Sequence, residues 1–354
     1  MILNVVGARP NFMKMAPLAR VLSARAGVEH LVVHTGQHYD RNMSQSFFED
    51  LRIPPPHHNL DVGSGSHGAQ TGTIMLRFEP VLLETSPDIV LVYGDVNSTV
   101  AAALVAAKLH IKVGHVEAGL RSRDWSMPEE INRVVTDRLA DHLFTPSRDA
   151  DVNLLAEGVP AERIHLVGNI MIDSLVAFLP KADTAALLDR FALAAGDYVV
   201  VTLHRPSNVD DAATLAGIMR GLARIATEHP VVFPVHPRTR SRLEGIEDTG
   251  KPNLRLVEPV GYVEMLALVK SAGLVITDSG GVQEETSFLG IPCLTVRPNT
   301  ERPITITQGT NRLVASNEQA LVDAAAEAWG TGKPCAIELW DGKAGERIAA
   351  VLLA

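Results

Sequence analysis

At 354 residues the chain is long enough for two domains of ordinary size, and an apolar content of 46% with 21% charged residues excludes a disordered protein. A net charge of −9 gives no general attraction to nucleic acid or to an anionic membrane, so any anion site must be built locally from Arg, Lys and helix N-termini. Two cysteines, Cys293 and Cys335, suit a reducing compartment and exclude a disulfide framework, while the longest apolar stretches break too early to span a bilayer.

Met1 runs straight into Ile2–Val6 without a basic leader, which reads as a buried first strand and points to a cytoplasmic location. Candidate strands follow at Ile2–Ala8, His30–Gly36, Asp88–Asp95, Lys112–Ala118, His142–Pro146 and Ile164–Gly168. A second series comprises Tyr198–His204, Val231–His236, Leu254–Glu258, Leu274–Thr277 and Cys293–Val296. Each run is apolar nearly throughout, as strands covered on both faces of a parallel sheet are. Helical patterns such as Ser98–Leu109 and Ala212–Glu228 separate them. The alternation predicts an α/β protein with two doubly wound, Rossmann-like domains. No strand is expected between Ile170 and Asp197, and Pro180-Lys181-Ala182-Asp183 reads as a linker. The expected domains are 1–172 and 173–345, facing each other across a cleft. Residues 346–354 are expected to end a helix that packs back on the first domain. In sheets of this kind ligands bind beyond the carboxyl ends of the strands, so the polar residues there carry the functional information.

The first strand ends in Gly7-Ala8-Arg9-Pro10-Asn11-Phe12-Met13-Lys14. Pro10 suits a first helical turn, Gly7 permits close backbone approach, and Arg9 with Lys14 adds positive charge at a helix N-terminus. A phosphate site and a plain capped helix with two solvated cations both fit this segment. Asp95, after Tyr93-Gly94, is either a helix cap or one of a pair of carboxylates with Glu117 of His115-Val116-Glu117-Ala118-Gly119. The imidazole and carboxylate of that last segment, flanked by apolar residues, need partners. Pro128-Glu129-Glu130, with Asn132 and Arg133, adds a further acidic patch, and convergent carboxylates are the usual equipment for proton transfer on sugars. In the second half, His204-Arg205 and His236-Pro237-Arg238 both fall at strand ends. Thr277-Asp278-Ser279-Gly280-Gly281 turns a strand into a helix and exposes N–H groups to a diphosphate, with Glu285 a turn further in. Arg302 of Thr300-Glu301-Arg302-Pro303 offers another cation near the same strand ends.

Gly63-Ser64-Gly65-Ser66-His67-Gly68 matches a dinucleotide fingerprint letter for letter but has no preceding strand in this reading, so it is taken as a loop before a helix. His34 and His38 flank a glycine turn without a zinc signature, and no metal is expected.

Taken together, these segments resemble the non-hydrolysing UDP-N-acetylglucosamine 2-epimerase family, in order and with matching gaps from Ile2 to about Val314. The carriers are Gly7–Pro10, Lys14–Leu18, Thr35–His38, Gly94-Asp95, Gly114–Leu120, Pro128–Arg133, His204-Arg205, Pro234–His236, Asp278–Glu285 and Thr300–Pro303. The resemblance implies a glycosyltransferase B fold, a homodimer, no cofactor, and UDP-sugar and UDP as the partners. It implies interconversion of UDP-N-acetylglucosamine and UDP-N-acetylmannosamine by anti elimination of UDP to 2-acetamidoglucal and re-addition. Carried over by motif, Asp95, Glu117 and Glu129 are the acid–base candidates. His204 stands at the leaving group with Arg9, Ser279, Gly280, Gly281 and Arg302. Glu285 binds the ribose, Lys14, His38 and His236 line the site, and Arg133 orients Glu129 or the sugar. A glycosyltransferase of the same fold, a hydrolysing epimerase and a non-catalytic sensor are the competing readings.

Departures from the family pattern are Asn11 after the first Arg-Pro, where Glu is usual, and Ile304 after Glu-Arg-Pro, again in place of Glu. Some relatives that begin Gly-Ala-Arg-Pro act on UDP-2,3-diacetamido-glucuronic acid, which makes that sugar the alternative substrate. Asp40, Thr73 and Pro206 lie at or near the places of a Gln and two Arg in members activated by a second substrate molecule, so such activation is expected to be absent here.

Overall fold

The computed structural model describes residues 1–36, 55–243, 245–246 and 250–354; His38, Gln37 and Asp40 lie outside them. The chain divides into two compact units, Met1–Ser174 with Glu338–Ala354, and Leu175–Ile337.

The first unit is built on β1 (Ile2–Val6), β2 (His30–His34), β3 (His58–Asn59), β4 (Ile89–Tyr93), β5 (Lys112–Val116), β6 (His142–Thr145) and β7 (Ile164–Leu166). They form one parallel sheet in the order β3-β2-β1-β4-β5-β6-β7. The second unit carries β8 (Val199–Thr202), β9 (Val231–Pro234), β10 (Leu254–Val257), β11 (Leu274–Thr277), β12 (Cys293–Val296) and β13 (Asn311–Val314). Its parallel order is β10-β9-β8-β11-β12-β13. Strand order reverses between β1 and β4 in one unit and between β8 and β11 in the other. Ligands of open parallel sheets bind at such switch points.

Helices cover both sheets because β1, β4, β11 and β12 are buried along their whole length. In the first unit Leu3, Val5, Val90 and Val92 pack with Ile74, Phe78 and Leu82 of the helix His67–Thr85. In the second, Val199, Val201, Ile276 and Leu294 pack with Leu215, Ile218 and Leu222 of the helix Ala212–Ile225. Each side chain of this size contributes about 2 kcal/mol by leaving water. Asn4, polar within the first strand, is satisfied: Tyr93 Oη donates to its Oδ1 at 2.6 Å and its Nδ2 donates to Leu31 O at 3.1 Å.

Several expectations change. The strands stop short of the polar residues that follow them, so Asp95, Glu117, His204 and His236 stand in loops. Pro180–Asp183 is no open linker: Leu179–Lys181 forms a short helical turn, and Asp183 caps the helix Thr184–Arg190 by accepting Ala186 N at 3.2 Å. A strand does precede Gly63, namely β3, only two residues long. The glycines still differ from a dinucleotide fingerprint, because a Cβ at Gly63, Gly65 or Gly68 would meet nothing within 4 Å. In that fingerprint the glycines exist to permit close approach.

Candidate active site

In the first unit the site grows from the ends of β1, β4 and β5. The chain leaves β1 through Gly7, where a Cβ would strike the hydrogen-bonded hydroxyls of Thr35 and Ser98, 2.8 Å apart. Asn11, in the first turn of the helix Arg9–Ser23, accepts the N–H groups of Gly7 and Ala8 at 3.2 and 3.0 Å and donates to Tyr93 O at 2.7 Å. Two donors at this helix start are therefore committed to a side chain. Arg9 is exposed there, but Lys14 is buried and ion-paired to Glu117, which removes the alternative of two solvated cations.

Glu117 itself sits at φ +74, a left-handed conformation that costs a non-glycine residue on the order of 1–3 kcal/mol and tends to occur at functional sites. The bend is held by Phe144 O, which accepts the N–H of both Glu117 and Ala118 at 3.1 and 3.0 Å. Gly94, at φ +64, faces the same pair: a Cβ there would lie 2.7 Å from Lys14 Nζ and 3.2 Å from Glu117 Oε2. This contact brings the β4 and β5 ends together, with Asp95 next in the chain.

The helix Pro128–Leu139 supplies the third side. Arg133 donates from Nη2 to Asp95 and from Nη1 to Glu130 Oε2 at 2.7 Å, and Asn132 Nδ2 donates to Asp95 O at 2.9 Å. Arg133 therefore serves Asp95 and Glu130, where the sequence pointed to Glu129 or the sugar. Glu130 is structural: it also accepts Ser122 N, Ser122 Oγ and Arg123 N at 2.8–2.9 Å. Glu129 is half-buried and has no partner among the described residues. Sequence reasoning missed the partners of His115, which binds Asp137 and the carbonyl of Gly94 rather than Glu117. Strand order was the absent information.

In the second unit the β8 and β11 ends are linked by a Thr202–Thr277 hydroxyl bond of 2.6 Å. Fully buried Asp278 accepts His204 N, Arg205 N and Asn208 Nδ2, and its Oδ1 lies 2.9 Å from His204 Nδ1. Burial opposes ionisation of Asp278, yet these donors hold its carboxyl below the ordinary range. The His204 side chain is 60% exposed, so the imidazole is anchored at one edge and open at the other.

Ser279, Gly280 and Gly281 open the helix Gly280–Leu289 beside Arg302. A Cβ on Gly280 would lie 2.5 Å from Arg302 Nη1, so only glycine lets the guanidinium reach this N-terminus. Arg302 is gripped by Glu284 (Nε–Oε1 2.8 Å) and by Glu301, which also binds Arg297 at 2.8 Å. Glu285 lies one turn inside, buried and accepting Tyr262 Oη at 2.8 Å. Burial, with a smaller push from Glu284, raises its pKa to about 7 despite that hydrogen bond. His236 is exposed just past the end of β9, its carbonyl capping the helix Pro237–Leu243 through Thr239 N and Arg240 N at 2.9 Å. Among the described residues no cluster of three His, Cys, Asp or Glu could hold a metal ion.

Two doubly wound units of the glycosyltransferase B class, one with basic-paired carboxylates at its switch point and one with a glycine turn beside an arginine and a buried Glu, define an enzyme of nucleotide-sugar type. The family model described as UDP-N-acetylglucosamine 2-epimerase matches residues 20–353. The chain belongs to this family of isomerases. It is 43% identical to a UDP-N-acetylglucosamine 2-epimerase of Methanocaldococcus jannaschii, over 98% of this chain and 97% of that protein. It is 44% identical to a UDP-2,3-diacetamido-2,3-dideoxy-D-glucuronate 2-epimerase of Pseudomonas aeruginosa, covering 93% and 92%. The crystal structure of the Methanocaldococcus jannaschii UDP-GlcNAc 2-epimerase in complex with UDP-GlcNAc and UDP superposes with a TM-score of 0.90 at 42% identity, over 100% of this chain and 99% of that one.

Proposed function

We propose that the protein interconverts UDP-N-acetylglucosamine and UDP-N-acetylmannosamine by anti elimination of UDP and its re-addition. One carboxylate of the first unit removes the C2 proton as the C1–O bond breaks and its electron pair leaves with UDP, giving 2-acetamidoglucal. A proton then returns to C2 from the opposite face while UDP adds back at C1. The observation that carries this reading is the pairing of Asp95 with Arg133 and of Glu117 with Lys14 at neighbouring strand ends. Each carboxylate is held by a cation in a fixed direction, as proton transfer needs. Glu129, unpaired among the described residues, is the third acid–base candidate.

The nucleotide groups belong to the second unit. Diphosphate charge meets the N–H donors of Ser279, Gly280 and Gly281 with Arg302 and the exposed edge of His204, and the ribose hydroxyls meet Glu285. Arg9 of the first unit is assigned to substrate by family resemblance alone. His38 and His236 are assigned to substrate by family resemblance. The same resemblance supports a homodimer, a cytoplasmic enzyme and a product that feeds polysaccharide assembly. No helix among the described residues is long and apolar enough to cross a membrane.

Elimination is tested by placing oxygen-18 in the bridge between C1 and the β-phosphate. Cleavage lets bound UDP rotate and scatters the label into the non-bridging positions. A label that stays in the bridge while the epimer forms would exclude the mechanism. The second reading, UDP-2,3-diacetamido-glucuronic acid as substrate, rests on the equally similar Pseudomonas aeruginosa relative and is compared by kcat/KM on the two sugars.

A further inference from the structure

The loops that carry Asp95 and Glu117 converge on one buried imidazole that has no part in the proposed chemistry. His115, on β5, is fully buried. Its Nε2 lies 2.7 Å from Gly94 O and its Nδ1 lies 2.6 Å from Asp137 Oδ1. The other oxygen of Asp137 accepts Gly119 N at 3.1 Å and Arg121 Nη1 at 2.7 Å. Gly94 immediately precedes Asp95, and Gly119 follows Glu117 by two residues.

A carbonyl oxygen can only accept, so the Nε2 contact requires a proton on that nitrogen. Asp137 is buried, which opposes ionisation, yet the charge and hydrogen bonds of His115 and Arg121 hold its carboxyl below the ordinary range. The imidazole thus ties the Gly94 carbonyl to the Asp137 carboxyl, one ring nitrogen to each.

We infer that His115, with Asp137, is a positioning residue for the acid–base pair: the imidazole pins the Gly94 peptide and, through Asp137, the Gly119 peptide, and so fixes where Asp95 and Glu117 stand relative to each other. The remaining groups of the β4 loop are pinned around it. Gly94 N donates to Val116 O at 3.0 Å, and Tyr93 O accepts Asn11 Nδ2 and Thr99 Oγ1 at 2.7 and 2.9 Å. His115 spans from this loop to the helix Pro128–Leu139 through a carboxylate that also holds the β5 turn, while Arg133 and Asn132 of the same helix reach Asp95 itself. The inference rests on reading Asp95 and Glu117 as the acid–base groups.

Its test is His115→Gln, which retains a donor but cannot donate to Gly94 and Asp137 together. The expected result is a kcat lower by about 100-fold, the loss a displacement near 1 Å can produce. The KM and the UDP dissociation constant should stay within about threefold, since the nucleotide groups lie in the other unit. A kcat within threefold of wild type, or an equal loss of UDP affinity, overturns the inference. Backbone amide exchange of the wild-type enzyme and the variant reads the same point without turnover. Faster exchange confined to the loops after β4 and β5 supports it, and unchanged exchange there overturns it. Asp95→Asn and Glu117→Gln, assayed alongside, separate the two levels. If both keep turnover, the acid–base reading falls; if both lose it and His115→Gln does not, only the positioning role falls.

Discussion

Lys14 and Glu117 lie 103 residues apart in sequence and form one buried ion pair. Removing one partner of such a pair leaves a desolvated charge, so Lys14→Met should cost about 3 kcal/mol of stability and lower kcat, read by denaturant unfolding and steady-state assay. Glu285 gives a pH signature. Its carboxyl is raised to about 7 in the folded protein, so the stability linked to its bound proton is complete below the ordinary carboxylate range and is lost as pH rises through 7. Ribose hydroxyls donate best to the ionised form, so uridine affinity should fall about tenfold per pH unit below 7. Glu285→Gln should remove that dependence; an unchanged slope in the variant would assign the titration elsewhere. Uridine, without phosphates, avoids their own titration.

At the scale of elements, the β4 turn and the helix start after β11 rely on absent side chains. Gly94→Ala must adopt φ +64 and displace Lys14 from Glu117, and should lower kcat with little change in UDP binding. Gly280→Ala pushes Arg302 off the helix N-terminus and should do the reverse, weakening UDP binding first. Titration of UDP against each variant checks the contrast. The C-terminal helix Ala344–Leu352, which packs on Arg9–Ser23, is held by Asp173, whose two oxygens accept Ala344 N and Gly345 N at 3.0 and 2.8 Å. Losing such a cap costs about 1 kcal/mol, so Asp173→Ala should speed amide exchange over 344–352.

Most strands were legible because Ile89–Tyr93 or Leu274–Thr277 are continuous apolar runs, which only a two-sided sheet buries. β3 and β13 were not: His58–Asn59 is too short to show a period, and Asn311–Val314 mixes polar with apolar residues. The candidate site residues were legible as polar groups just past strand ends. Their pairings were not, because which loop meets which depends on the strand order, and nothing local in the sequence encodes the β1-β4-β5 order that brings Lys14 to Glu117.

Taken as a whole molecule, the protein divides its chemistry between units on the proposed assignment. Carboxylates with basic partners occupy the switch point of the first, and N–H donors with an arginine occupy that of the second. Asp95→Asn and Glu117→Gln should therefore abolish turnover while leaving UDP affinity near wild type, whereas Arg302→Ala should weaken UDP binding. The helix His67–Thr85 exposes Leu76 and Leu83, consistent with the proposed homodimer, which light scattering of the purified protein would weigh directly.

The most direct measurement is proton NMR of the purified enzyme with UDP-N-acetylglucosamine in deuterated water. The account predicts growth of UDP-N-acetylmannosamine carrying deuterium at C2, with deuterium also entering C2 of the remaining substrate. An epimer that retains its original C2 proton, or a sugar left unchanged, would contradict it.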